Sequence, residues 1–256
     1  MQVLPRYDAF HRQTVTVRPL ALAGAGPRHL VVDGLRGAGW SESRHRDATV
    51  TYVSPCGRTR LHHTPATAPG NTGWKLETQP RPGDDHGWSA WFTAHTPGEI
   101  VAAAAGRALA GFATTPTFGD IREPGTGLSI LWKRERTNEG DVLAFRYRAI
   151  IGEAAFTYLA GDTVAEDVTS LLRGGLSLPE GERPLWRAEF TDNTPHEVIN
   201  AALRVLDAAG VRTRAQIPRP VLDHPLTASR LRLSPCRTPR VAEAITTSGP
   251  PSRRTR

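Results

Sequence analysis

Apolar residues along this chain recur with two periods, and the changes from one to the other mark out the elements. Steps of two, which send alternate side chains to opposite faces of a strand, run through Gln13-Thr14-Val15-Thr16-Val17-Arg18. After the turn Gly24-Ala25-Gly26, Pro27 opens a helix in which Leu30, Val31, Gly34 and Leu35 fall at helical spacing. Gly37 to Gly39 end it before Trp40. Asp47–Val53 reads as the next strand, with Val50, Tyr52 and Val53 apolar. It stops at Ser54-Pro55-Cys56-Gly57, a turn tetrapeptide in which Pro fixes φ and Gly accepts the left-handed region. Arg58–His63 returns as the second arm of a hairpin, Trp74–Thr78 follows as a third strand and Trp88–Thr93 as a fourth.

That fourth strand runs into the clearest local signal. Thr96-Pro97-Gly98-Glu99 directly precedes Ile100-Val101-Ala102-Ala103-Ala104-Ala105. Thr96 is placed to accept from the free amides of the first turn, Glu99 to bond back, and Pro97 to fill the first helical position at no cost in hydrogen bonds. The spacing predicts a helix from Pro97 to about Leu109.

The same signal returns 98 residues later, where the stretch from Trp88 to Val101 aligns without gaps on the stretch from Trp186 to Ile199. Seven of the fourteen positions are identical: Trp88/Trp186, Ala90/Ala188, Phe92/Phe190, Thr93/Thr191, Thr96/Thr194, Pro97/Pro195 and Glu99/Glu197. One Thr-Pro-x-Glu is common by chance. Two, each behind the same strand at equal phase, indicate a repeated unit, and a repeat governs the whole fold reading. Trp88, Ala90 and Phe92 have period-two spacing and predict one core stripe under the following helix, as do Trp186, Ala188 and Phe190. Trp91 falls on the opposite face and is matched by Glu189, so it stands outside that shared stripe.

Upstream of the second copy the match fades. Val142–Tyr147 and Ala155–Leu159 supply strand material, with Thr157-Tyr158-Leu159 echoing Thr51-Tyr52-Val53 once gaps are allowed. Thr163–Leu172 is read as a short helix or a replaced strand. From Arg212 onward the chain is poor in large apolar residues and rich in Arg, Pro and Thr, the composition of an unordered tail.

Charge changes the picture only once it is located. The net charge is +7, but from Val211 to the end ten arginines face Asp223 and Glu243, which gives that segment +8 and leaves −1 for the other 210 residues. The folded part is close to neutral. Of the 32 basic residues only Lys75 and Lys133 are lysines, a bias that a GC-rich genome produces without selection for function. Arg212, Arg214, Arg253, Arg254 and Arg256 remain candidate phosphate contacts, of a salt-sensitive and sequence-independent kind, because no aromatic residues are interleaved with them. No stretch approaches the ~20 apolar residues that cross a bilayer, and the N-terminus lacks the apolar run of a signal peptide. No membrane association is expected, and a cytoplasmic setting is. Cys56 and Cys236 form neither a disulfide framework nor a metal-type pair.

Specific chemistry is thin. Walker, Gly-x-Ser-x-Gly, His-Glu-x-x-His and paired Cys-x-x-Cys patterns are absent from the sequence. Gly24-Ala25-Gly26-Pro27 lacks the third glycine of a dinucleotide loop, and Asp33 is too near to serve as its ribose acid. His62 and His63 are adjacent, so on a strand they point to opposite faces and cannot grip one ion together. Asp84-Asp85-His86 reads as an exposed turn. His95 is Asn193 in the second copy and Gly98 is His196, exchanges that turn positions tolerate and catalytic ones do not. Capping accounts for Thr96, Thr194, Glu99 and Glu197 together, and those glutamates already fill the electropositive helix ends that could take an anion. No catalytic, cofactor-binding or metal residue is assigned, and no cofactor is expected.

The run Ala21-Leu22-Ala23-Gly24-Ala25-Gly26-Pro27-Arg28-His29, then Leu35-Arg36-Gly37-Ala38-Gly39-Trp40, Ser54 to Leu61, Trp74, and Trp88 to Ala105 resemble the SPDY domain. That domain of unknown function (317) is found mainly in Streptomyces and their relatives, often in tandem. The resemblance covers about Ala21 to Ala110, and in the second half Pro184 to Leu206. The namesake Ser-Pro-Asp-Tyr is here Ser54-Pro55-Cys56-Gly57, with no counterpart in the second half, so the second copy is divergent. The resemblance implies no activity and no catalytic residues.

These readings combine into an α+β expectation. Two related small units each form an antiparallel sheet of about four strands followed by a C-terminal helix, with a disordered basic tail behind them. The first unit with its strand-helix lead-in spans 1–112, the divergent second unit 113–210, and the Arg/Pro-rich tail 211–256. The expected function is a non-enzymatic binding or regulatory module for a protein or nucleic-acid partner, the latter also through the tail. The alternative is a small-molecule sensor or an enzyme with its site in the cleft between the units.

Overall fold

The computed structural model describes residues 15–17, 28–65, 72–80, 87–109, 132–139, 142–149, 154–160, 168–174, 184–191, 193–207, 212–214 and 232–233. In chain order the elements are β1 (Val15–Val17), α1 (His29–Gly37), β2 (Ser41–Arg44), β3 (Val50–Val53), β4 (Thr59–His63), β5 (Thr72–Thr78), β6 (Trp88–Thr93) and α2 (Gly98–Leu109). There follow β7 (Trp132–Glu139), β8 (Val142–Ala149), β9 (Ala154–Ala160), β10 (Val168–Gly174), β11 (Trp186–Thr191), α3 (His196–Asp207), β12 (Arg212–Arg214) and β13 (Arg232–Leu233). The mix is α+β, as the alternating strand and helix periods predict.

Helix α1 shows how local sequence sets these boundaries. Gly39 takes φ +79°, a conformation in which glycine carries no steric penalty. The chain can then turn so that the Gly39 amide donates to the Arg36 carbonyl and the Trp40 amide to that of Leu35, both at 3.0 Å. Trp40 is thereby folded under its own helix and buried.

Strands β2 to β6 form an antiparallel meander, and β7 to β11 form another. Each is followed by one helix. The halves do not make two separate sheets. β6 pairs with β11, and the ten strands run as one sheet in the order β2-β3-β4-β5-β6-β11-β10-β9-β8-β7. The pairing is symmetric about Trp91↔Glu189, flanked by Ala90↔Phe190 and Phe92↔Ala188. Its hydroxyl bonds are symmetric too. The Arg187 amide donates to Thr93 Oγ1 and the Ser89 amide to Thr191 Oγ1, both at 3.0 Å. Thr96 Oγ1 donates to the Arg187 carbonyl at 3.2 Å and Thr194 Oγ1 to the Ser89 carbonyl at 3.4 Å.

All three described helices bury against one face. Val31 and Leu35 of α1, Ile100, Val101 and Ala104 of α2, and Val198, Ile199, Ala202 and Leu203 of α3 share a cluster with Tyr52, Leu61, Leu76, Phe92, Phe156, Leu172 and Phe190. α2 packs on α1 and on α3. Trp88, Ala90 and Phe92 are buried on this face, with Trp186, Ala188 and Phe190 beside them. Phe92 and Phe190 meet edge to face, their centroids 6.0 Å apart.

Several elements depart from the expectations drawn from pattern. β2 and β7 lie at the two ends of the sheet and carry Ser-Glu-Ser-Arg and Trp-Lys-Arg-Glu-Arg-Thr-Asn-Glu. Edge strands are kept polar, which hinders pairing with other chains and also erases the apolar alternation that betrays a strand. Residues 168–174 are a strand, so the strand reading of Thr163–Leu172 holds for its described part, while 163–167 lie outside the described residues. Tyr147, not Tyr158, stands where Tyr52 stands in the first half, because Tyr52 pairs with Leu61 and Tyr147 with Phe156. Arg212–Arg214 and Arg232–Leu233 pair on either side of Val15–Val17 in a three-stranded sheet, so the expectation of an unordered tail does not hold for those residues. Val15-Thr16-Val17, β-branched throughout, is the central strand, and both of its edges are paired.

One close approach makes a stability test. Gly174 pairs with Trp186, and a Cβ at 174 would lie 2.1 Å from the indole. Gly174→Val should lower stability by about 1–3 kcal/mol, and Trp186→Ala by about 3–5 kcal/mol. Thermal melts of the double variant should show less than the sum, since the ring that the valine strikes is gone.

Candidate functional site

A strand that packs one face on helices turns its alternate residues to the other. On that open face a single cross-strand row runs through Ser43, Thr51, His62, Lys75, Trp91, Glu189, Leu171, Thr157, Arg146 and Glu135. Chemistry is concentrated in its first half. Thr51 Oγ1 lies 2.9 Å from His45 Nε2 and 2.9 Å from His62 Nδ1. His62 Nε2 is 3.1 Å from Glu77 Oε1, and Lys75 Nζ is 2.8 Å from Glu77 Oε2. The Lys75 ammonium also sits over the Trp91 ring, 5.8 Å from its centre, and Glu189 binds Arg187 at 3.0 Å.

Donor and acceptor roles follow from the end of this chain. A carboxylate only accepts, so His62 Nε2 carries hydrogen toward Glu77. Neutral His62 then presents the Nδ1 lone pair to the Thr51 hydroxyl, whose oxygen accepts from His45 Nε2–H. Glu77 feels opposing effects. Partial burial pushes its carboxyl up, but hydrogen bonds from Lys75 and His62 outweigh that and hold it below the ordinary carboxylate value. It is an ionised acceptor fixed from two sides.

His45 was invisible in the sequence. It lies 17 residues from His62, and two successive hairpins bring them to one hydroxyl. The adjacent pair separates as strand geometry requires: His62 faces the open side, while His63 stacks 4.3 Å from Trp74 among the helix-facing residues. Thr96 and Thr194 lie at the seam between the halves, and the Pro97 and Pro195 carbonyls accept from the Ile100 and Val198 amides. Glu99 and Glu197 stand in the first turns of α2 and α3. Arg212 and Arg214 enter only through backbone pairing, and Arg253, Arg254, Arg256, Cys236 and residues 84–86 lie outside the described residues. Among the described residues no three His, Cys, Asp or Glu side chains are grouped to hold a metal, and no described helix is long and apolar enough to cross a membrane.

Comparison with known families gives one match: SPDY, Domain of unknown function (DUF317), over residues 53–111. The chain carries an SPDY domain. Its matched region runs from the last residue of β3 through α2 and so holds His62, Lys75, Glu77 and Trp91. No curated protein and no solved structure matches the chain. Where the SPDY name comes from, this chain has Ser54-Pro55-Cys56-Gly57, closed by the Gly57 amide on the Ser54 carbonyl at 2.8 Å. Cys56 is exposed, with its Sγ 3.3 Å from Ser54 Oγ, and that contact and the Arg58 backbone lower its thiol from the ordinary value.

The helix side of the SPDY domain yields a pH prediction. Burial and the nearby Arg28 guanidinium push His63 from 6.5 down to about 4. Between those values the unfolded chain gains a proton that the folded chain refuses, so stability falls as pH drops through that window. Chemical denaturation of wild type and His63→Phe across it should show a smaller acid loss in the variant.

Proposed function

We propose that this chain is a non-enzymatic binding module that recognises a protein partner through the open face of its first half, with the second half a divergent copy kept as scaffold. The observation that carries this is a contrast between two rows of the sheet. On the helix face, Tyr52, Leu61, Leu76 and Ala90 correspond by register to Tyr147, Phe156, Leu172 and Ala188, apolar in every case and identical in three. On the open face, Thr51, His62, Lys75 and Trp91 correspond to Arg146, Thr157, Leu171 and Glu189, alike in none. Packing explains the first row. In the second row Thr51 and Thr157 are buried as well, yet the halves differ in chemistry at every position.

Three features of the first-half face favour a protein over phosphate. Its charges alternate in sign, with Lys75 and Arg187 each bound to a glutamate. Trp91 is half-buried and offers an aromatic anchor with a polar surround. The excess of arginine lies in the tail, where nucleic-acid contact would be sequence-independent. A cytoplasmic setting fits two cysteines without a disulfide framework.

The second reading, an enzyme, draws on the hydroxyl–imidazole–carboxylate order of Thr51, His62 and Glu77. Against it, Thr51 is only 7% exposed. The seam between the halves, where a shared cleft would lie, is filled by fully buried Ala90, Phe92, Ala188 and Phe190.

A photo-crosslinking amino acid at position 91, compared with one at exposed Gly106 on α2, tests the proposal in cells. The expected outcome is a discrete protein adduct formed from 91, absent from 106, and lost when Lys75→Glu is added. Equal labelling from both positions, or none, rejects it. A mobility shift with generic duplex or single-stranded DNA that survives truncation after Ala209 would make the core a nucleic-acid binder instead.

A further inference from the structure

Three polar atoms from three stretches of chain converge at one point on the open face. We propose that His45, Thr51 and His62 form a binding site for a divalent transition-metal ion of the class that prefers imidazole, with zinc as the reference ion. Two edges of the triangle they form, His45 Nε2 to Thr51 Oγ1 and His62 Nδ1 to Thr51 Oγ1, are each 2.9 Å. Donor atoms around a tetrahedral zinc with bonds of about 2.0–2.1 Å stand about 3.3 Å apart. Both edges are therefore within about half an ångström of the spacing an ion needs, and the exposed His45 side chain can swing to close the third.

The surroundings of His62 are those of a ligand histidine. Its far nitrogen gives hydrogen to Glu77 at 3.1 Å, and Glu77 is held in turn by Lys75 at 2.8 Å. That carboxylate fixes the tautomer with the Nδ1 lone pair facing the point of convergence. His45 is held by a closed hairpin turn: its amide donates to the Thr49 carbonyl at 2.8 Å, and the Asp47 carboxylate accepts from the Thr49 amide at 3.0 Å. Ala48 in this turn takes φ +66°, a costly conformation for a residue with a Cβ. Metal binding requires only that His45 carry its proton on Nδ1 instead of Nε2.

Donor chemistry sets the class of ion. Two imidazoles suit zinc, copper and nickel, with the Thr51 hydroxyl a weak third donor, whereas magnesium and calcium need more oxygen donors than this point supplies. Water completes the shell on the exposed His45 side. In the second half Arg146 and Thr157 replace Thr51 and His62 by register, so the stoichiometry is one ion per chain.

The inference stands apart from the partner proposal, because zinc is titrated without any partner. The full-length protein, stripped with a chelator, is titrated with zinc against a chromophoric competitor near neutral pH, alongside His45→Ala, His62→Gln and Cys56→Ser. The expected result is one site, weakened at least about tenfold by either histidine substitution, unchanged by Cys56→Ser and not competed by magnesium. His45 is exposed, so His45→Ala keeps the fold, which circular dichroism checks. Binding that both histidine variants retain, binding lost with Cys56→Ser, or no binding at about 100 µM zinc, some 5 kcal/mol of affinity, overturns the proposal.

Discussion

The antiparallel pairing of β6 with β11 is the contact on which the rest of the molecule depends. Each half alone is a meander closed by a C-terminal helix, a small structure whose inner strand would expose a row of amides and carbonyls. Joining the two inner strands satisfies both edges at once and makes a single ten-stranded sheet. The register is narrowly set. Phe92 faces Ala188 and Ala90 faces Phe190, so a large side chain always meets a small one across the seam. A slip by one residue would turn one strand over relative to the other, setting Glu189 inward and Phe190 outward while Phe92 stays in the core. The threonine hydroxyls bonded across the seam reinforce the same alignment.

Once the seam is set, the two faces have different obligations. The helix face must fill a shared volume, and interiors packed to crystal-like density tolerate few changes of shape. That accounts for Leu76 and Leu172, and Ala90 and Ala188, standing at matching positions. The other face is less constrained, although Thr51 and Thr157 are buried on it. There the first half carries two imidazoles, a hydroxyl, an ion pair and an indole in one connected row, and the second half carries a different set. The proposed partner surface and the proposed metal site both draw on this asymmetry, and they share Thr51, His62 and Lys75 as neighbours.

Much of this fold can be read from spacing. The hairpin around Ser54–Gly57, the strand from Trp88 and the helix behind Thr96 depend on residues within a few positions of one another. The repeat from Trp88 to Val101 is legible because both copies keep the same core stripe. β2 and β7 were hidden for a physical reason: at the ends of a sheet polar strands are favoured, and no apolar alternation is needed. Tyr147 was missed as the partner of Tyr52 because the loops of the two halves differ in length, which sequence offset alone cannot correct. Arg212–Arg214 reads as tail by composition, yet its backbone completes a small sheet with Val15–Val17.

What the sequence determined by itself is local: where strands and helices fall, which face of each is apolar, where turns must be, and that one unit recurs. Those properties follow from backbone sterics, capping and periodicity, which act over a few residues. Only the tertiary structure decided that the two halves share a single sheet and that His45 reaches the hydroxyl facing His62. It also decided that Trp91 lies beside Lys75 and Glu189. Each of those neighbours comes from strand pairing across a hairpin or across the seam. Such pairing depends on the register of distant segments, and the periodicity of any one segment carries no record of it.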